Sequence, residues 1–228
     1  MEINVLTVPA LKEAFLEFVP QFEKASAHTI TMVFSGTDEI MTKMKAGGNG
    51  VDLVILDANS IEELNRLGKT VAESRVDFAK SRVGAAVRAG APKPDISSVD
   101  ALKRSLLAAQ SIAYSRSLSG IYLAGLLEKW GLAEQLRPRI KQPAPGEFVG
   151  DMVARGEAEI GFQQMSELVH VAGIDVLGPI PPDVQLVTVV SGCVHAHAKQ
   201  PAAARAWANF LASPAAVAVL KKNGLDPE

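Results

Sequence analysis

Ser111-Ile-Ala-Tyr-Ser-Arg-Ser-Leu-Ser-Gly120, continued by Ile121-Tyr-Leu-Ala-Gly-Leu-Leu-Glu-Lys-Trp130, is the stretch that decides the fold. An apolar run feeds a short serine- and glycine-bearing turn, and the turn opens into a helical pattern. The plan recurs upstream, where Thr31-Met-Val-Phe-Ser-Gly-Thr37 runs into Asp38-Glu-Ile-Met-Thr-Lys-Met-Lys45. Strand-to-helix units of this kind build mainly parallel sheets flanked by helices, an α/β fold. They also suit small anions. The first N–H groups of a helix lack intrahelical partners, and the macrodipole adds roughly half a positive charge there. Hydroxyls and amides meeting at that point can replace the hydration shell of an oxyanion or carboxylate. Thr37, Ser117 and Ser119 could each be an ordinary helix cap. Two such turns in one chain favour a site.

The alternation extends in both directions. Strands are expected at residues 3–8, 29–34, 53–56, 83–88, 111–113, 160–163 and 186–193, with period-3.6 apolar helices between them. The first helix places Leu11, Phe15, Phe18, Val19 and Phe22 on one face and Lys12, Glu13, Glu17 and Glu23 on the other. Further helices are expected to start near Asp38, Ser60, Ser98, Gly120, Gly146, Met165, Pro201 and Ser213. Two apolar stretches, Arg82 to Arg88 and Leu186 to Val194, read as crossovers. Only helices are expected after the second. Met165-Ser-Glu-Leu-Val-His170 suits a partner contact and core packing equally.

Composition excludes several functions. A chain of 228 residues that is 48% hydrophobic can bury one large core or two. A net charge of −2 leaves no basic footprint, so nucleic acid is not an expected partner. The single cysteine, Cys193, excludes an intrachain disulfide and a cysteine-cluster metal site. His195-Ala-His197 puts two imidazoles on one strand face beside Cys193, without an evident third ligand from elsewhere in the chain, and the pair reads as structural. Neither a metal nor a cofactor is expected. No run reaches the roughly 18 apolar residues of a membrane span, so the chain reads as not membrane-embedded. Its start, Met1-Glu-Ile-Asn-Val-Leu6, goes directly into a strand pattern, which as written implies a cytoplasmic protein, or a periplasmic one whose leader was removed. Hydrolase elbows, Walker loops and dinucleotide fingerprints are absent from the sequence.

The order of motifs resembles the molybdate-binding-like solute receptors, which have the type 2 periplasmic-binding fold. The residues that carry the resemblance are Pro9-Ala-Leu-Lys-Glu-Ala-Phe15, Ser35-Gly-Thr37, Met44-Lys-Ala-Gly47, Val51-Asp-Leu-Val-Ile-Leu56, Gly125-Leu-Leu-Glu-Lys-Trp-Gly-Leu-Ala133, Val153-Ala-Arg-Gly-Glu-Ala-Glu-Ile-Gly161 and Ala206-Trp-Ala-Asn-Phe-Leu-Ala-Ser-Pro-Ala-Ala216. The resemblance implies two lobes, residues 1–82 with 194–228 and residues 83–193, joined by two crossover strands and closing on a ligand. It implies ligand residues at Pro9 and Ala10, at Ser35, Gly36 and Thr37, in the Ser115 to Gly120 turn, at Gly146, and at Gln163 and Gln164.

Several positions depart from the family pattern. Ala10 stands where the family has a serine, Gln164 where it has a tyrosine, and Gly36 or Thr37 where it has a second serine. A tetrahedral dianion needs several short neutral donors, so a small organic carboxylate is the expected anion. Arg116, with Arg75 and Arg82 behind it, is the expected guanidinium partner. By resemblance the chain would serve as the substrate-binding protein of an ABC-transporter type system, with a permease as partner. A divergent branch of the same family resembles aconitate isomerase, which makes a proton-shifting enzyme the alternative. Asp38, Glu39 and Glu147 are then candidate bases, with Asp57 beside them. A soluble ligand sensor is the third reading.

Overall fold

The computed structural model describes residues 1–144 and 146–228. In chain order the first elements are β1 (Glu2–Thr7), α1 (Lys12–Ala25), β2 (Thr29–Phe34), α2 (Thr37–Lys45), β3 (Leu53–Asp57), α3 (Ala58–Arg66) and the long β4 (Val76–Arg88). There follow α4 (Val99–Ala108), β5 (Ile112–Tyr114), α5 (Leu118–Lys129), α6 (Ala133–Leu136), β6 (Ile140–Lys141), α7 (Val149–Ala154), β7 (Ile160–Gln164), α8 (Met165–Leu168) and β8 (Ile174–Pro179). The chain finishes with β9 (Val187–Val194), α9 (Pro201–Leu211), α10 (Val217–Lys222) and β10 (Leu225–Pro227).

Contacts divide the chain into residues 1–81 with 188–228 and residues 82–187. β9 belongs to the first unit, where it pairs antiparallel with β3 from Leu53↔Val194 to Asp57↔Val190.

In the first unit β1 runs parallel to β2, from Glu2↔Thr29 to Thr7↔Phe34, and parallel to β3. Strand alternation sorts the side chains by face. Ile3, Val5, Leu53 and Ile55 meet α1 and α9 on one side, around Phe15, Phe18, Phe22 and Trp207. Leu6, Val54 and Leu56 meet α2 and α3 on the other, through Ile40, Met44, Ile61 and Leu64. The Phe22 and Trp207 rings pack edge to face with centroids 5.0 Å apart. The expectation of helices alone after the second crossover is corrected by β10, which pairs antiparallel with the first part of β4 (Leu225↔Ser81). Three residues carry too little periodicity to show as a strand.

In the second unit the later part of β4 pairs antiparallel with β7 and with β8. β7 is parallel to β5, and β5 to β6. Val83, Ala85, Val87, Ile112, Ile160 and Phe162 face Leu102, Leu106, Leu123 and Leu127 of α4 and α5. Ala113 faces Val149, Met152 and Val153 of α7 on the other side. Gly161 lets α7 lie directly on the sheet, since a Cβ there would stand 2.5 Å from Val153. Among the described residues no single helix is long and apolar enough to cross a membrane.

Candidate functional site

Each unit has an edge where its parallel strands end and its helices begin. In the first unit β1 ends at Thr7, β2 at Phe34 and β3 at Asp57. The Ser35 N–H donates to the Thr7 carbonyl at 3.0 Å, and the Ser35 hydroxyl donates to the Glu39 carboxylate. Gly36, Thr37, Asp38 and Glu39 are exposed, Gly36 has no side chain to cap α2, and Pro9 and Ala10 open a short 3-10 turn. Asp57 caps α3, accepting from Ser60 N at 3.0 Å and Ser60 Oγ at 2.6 Å. Its two oxygens are thus held by one residue of the helix it starts.

Arg75 is committed elsewhere. Its Nε and Nη2 donate to the two carboxylate oxygens of Asp77 at 2.7 and 2.8 Å, and Ser191 Oγ adds a third bond to Asp77 at 2.6 Å. The Arg75 hydrogen bond, with help from Ser191, holds the Asp77 carboxyl below the usual carboxylate range. The Arg75 fork is occupied by an internal carboxylate.

The second unit brings more of the expected residues together. The register Tyr114↔Phe162 ends β5 two residues before β7 ends at Gln164, so the Ser115 turn leaves the sheet next to the last part of β7, which holds Gln163. Ser115 Oγ lies 2.8 Å from Ser117 Oγ and 3.0 Å from Ser119 Oγ. Ser115 and Ser119 are buried and Ser117 is exposed. Three hydroxyls carry three protons, and two are consumed inside the cluster, so one O–H is left over. Gly120 makes the turn possible: a Cβ there would stand 1.6 Å from the Ser115 carbonyl oxygen. The Ser117 carbonyl accepts from both Gly120 N and Ile121 N at 3.0 Å, closing the first turn of α5.

Arg116 is exposed on this turn and lines a cavity of about 530 Å³ with Tyr114, Glu128, Arg137 and Gln142. Gly146 is exposed with φ +82, a left-handed turn that glycine adopts without strain. Glu147, one residue on, accepts from Ala144 N at 3.0 Å and from Arg155, and these bonds lower its pKa. A carboxylate held ionised by a backbone donor and a cation is a weaker base than a free one.

Gln163 is buried and its Oε1 accepts from Val149 N, at the start of α7, at 2.8 Å. Its amide also bonds the Glu167 carboxylate, and the Gln164 N–H donates to the same group. Burial pushes the Glu167 carboxyl up to about 7 against those two donors. Sequence reading passed over Glu167, which sits three residues after the cap Gln164, the spacing of an ordinary helix-capping glutamate. That spacing is the only signal the sequence carries for it.

His195 is buried against Gly48, whose Cβ would stand 2.8 Å from His195 Nε2, while His197 is exposed. The Cys193 thiol is engaged by Ser74, Asn65 and the Val71 carbonyl at 3.3 to 3.4 Å. Among the described residues no group of three His, Cys, Asp or Glu side chains could hold a metal ion.

A family model described as bacterial extracellular solute-binding protein matches residues 3–226. An aconitate isomerase from Pseudomonas sp. is 37% identical over 99% of this chain and 87% of its own length. The molybdate-binding protein ModA of Azotobacter vinelandii is 26% identical over 98% of this chain and 89% of its own. Among solved structures, the substrate-binding domain of a putative molybdenum ABC transporter from Clostridium difficile superposes with a TM-score of 0.79 at 20% identity, covering 99% of this chain and 98% of that one. That likeness is one of fold: the α/β periplasmic-binding-protein type.

Proposed function

The chain belongs to the bacterial extracellular solute-binding protein family, and from that premise we propose that it binds a small organic polycarboxylate and shifts a proton within it, as an aconitate isomerase. What carries the reading is the identity of 37% to such an enzyme over 99% of the chain, against 26% to a molybdate receptor.

The donor set supports the same choice. A tetrahedral dianion needs donors from several directions, yet the Ser35 hydroxyl is spent on Glu39 and the Arg75 fork on Asp77. The Ser115 cluster has a single O–H to spare. A carboxylate asks less of its site: two coplanar oxygens met by one hydroxyl, the amides at the start of α5, and a guanidinium such as Arg116. Isomerisation asks in addition for a group that takes and returns a proton near neutral pH. Asp38 and Glu39 stay exposed at the start of α2, where the helix dipole explains them.

The second reading is a transport receptor for a small anion, working with an ABC-type permease outside the cytoplasm. It is favoured by the family as a whole and by the molybdate-binding relative. Proton NMR of the purified chain with cis- and trans-aconitate separates the two. Interconversion of the isomers is the expected result. Binding of molybdate, tungstate or a carboxylate with every ligand returned unchanged would establish the receptor instead.

A further inference from the structure

We propose that Asn49 is a site of spontaneous covalent modification in the folded chain, losing its side-chain amide through a cyclic imide with the Gly50 nitrogen to leave aspartate and isoaspartate. The dipeptide Asn-Gly occurs twice, at Asn49-Gly50 and at Asn223-Gly224. Asparagine is a thermolabile residue, and glycine after it leaves the attacking nitrogen unshielded. By sequence the two sites are equal; the fold separates them. Asn49 and Gly50 are exposed in the turn between α2 and β3, which is closed by a bond from Val51 N to the Gly48 carbonyl at 3.0 Å. The Gly50 N–H has no hydrogen-bond partner among the described residues, and a Cβ at Gly50 would meet nothing within 4 Å. Its nitrogen is therefore open to deprotonation, and the space around it can hold the five-membered ring.

Asn223 is locked at each of these points. It is 1% exposed, and its Nδ2 donates to Glu17 Oε1 at 3.0 Å and to the Val219 carbonyl at 2.8 Å. The Gly224 N–H donates to the Lys221 carbonyl at 3.2 Å. Asn223 Oδ1 is buried without a partner among the described residues, so the negative charge that attack builds on that oxygen would meet no donor. The reaction needs water alone. Hydroxide takes the Gly50 amide proton, the nitrogen bonds to Asn49 Cγ, and the Cγ–Nδ2 bond breaks as ammonia leaves with a proton from water. A second water opens the imide. Cleavage of the bond to Cγ leaves aspartate, and cleavage of the bond to the main-chain carbonyl carbon leaves isoaspartate, whose backbone runs through Cγ. Either product adds a negative charge to a chain of net charge −2. Isoaspartate also lengthens the backbone by one carbon between Gly48, packed on His195, and Asp52, whose carboxylate accepts from Lys199 N at 2.7 Å and Gln200 N at 3.0 Å at the start of α9.

The test incubates the full chain at pH 8, folded and unfolded in guanidinium chloride, and follows each Asn-Gly peptide by mass spectrometry and by methyl transfer from protein isoaspartate methyltransferase. In the folded chain the Asn49 peptide is expected to gain about 1 Da and to become a methyl acceptor. It should do so about 10-fold or more faster than the Asn223 peptide, which reacts only through local openings that free its amide and the Gly224 N–H. In guanidinium chloride the two rates should come within about 3-fold, since no fold then distinguishes them. Asn49→Ser should abolish methyl acceptance by the folded chain. A folded chain in which Asn49 reacts no faster than Asn223 overturns the inference, as does a ratio that guanidinium chloride leaves unchanged or methyl acceptance that survives Asn49→Ser.

Discussion

Glu167 is a titrating group whose effect on stability can be worked out apart from any reaction. Its carboxyl is held near 7 in the folded chain against an ordinary 4.5. Between those values the folded state keeps a proton that the unfolded state has released, so stability falls as pH rises through the window. Glu167→Gln removes that dependence. The expected outcome is that the variant matches wild type in urea unfolding at pH 4.5 and exceeds it at pH 8, by up to about 3 kcal/mol. Equal stabilities at both pH values would show the carboxyl to be solvated. Asp77 runs the opposite way: its pKa is lowered, so its contribution is present above the ordinary carboxylate value and lost as pH falls through the depressed one. At this scale the sequence was a partial guide. It marked Ser115, Ser117, Ser119 and Gln163, which lie on the turn after β5 and in the last part of the neighbouring β7. It could not mark the Arg75–Asp77–Ser191 group, whose third member lies 114 residues from the second.

Among the elements, the turn into α5 depends most on one position. Gly120 lies on the Ser115 backbone so closely that no relaxation of a flexible side chain can make room for a methyl group. Gly120→Ala is expected to cost about 3 kcal/mol or more and to break the hydroxyl cluster with it. Thermal unfolding and anion affinity should therefore fall together, and an unaltered melting temperature would contradict the packing described. Gly161 serves α7 similarly, and Gly84 has a Met165 sulfur where its Cβ would be. The long strands and helices were legible because each keeps one period over five or more residues. β6, β8, β10 and α6 were not, since two to six residues at a sheet margin are placed by the neighbours they pair with.

For the whole molecule, ligand binding should appear as stability. A carboxylate at about 100 times its dissociation constant adds roughly 2.7 kcal/mol to a folded chain that alone binds it. For a chain of this length that raises the melting temperature by roughly 5 to 10 °C. A shift of this size is expected with trans-aconitate, and a comparable shift with molybdate in place of any carboxylate would reverse the ligand preference. The amino-acid sequence by itself determined the α/β class, the order of its longer elements, the family and the two serine- and glycine-bearing turns. Periodicity, turn chemistry and motif order are local properties that a sequence carries directly. Only the tertiary structure decided which charged groups are paired and which are shifted by burial. Arg75 and Glu147 are neutralised by partners, while Glu167 is lifted to about 7. The reason is that burial and hydrogen bonding depend on residues brought together from distant strands, and those two influences set the charge state of a carboxyl.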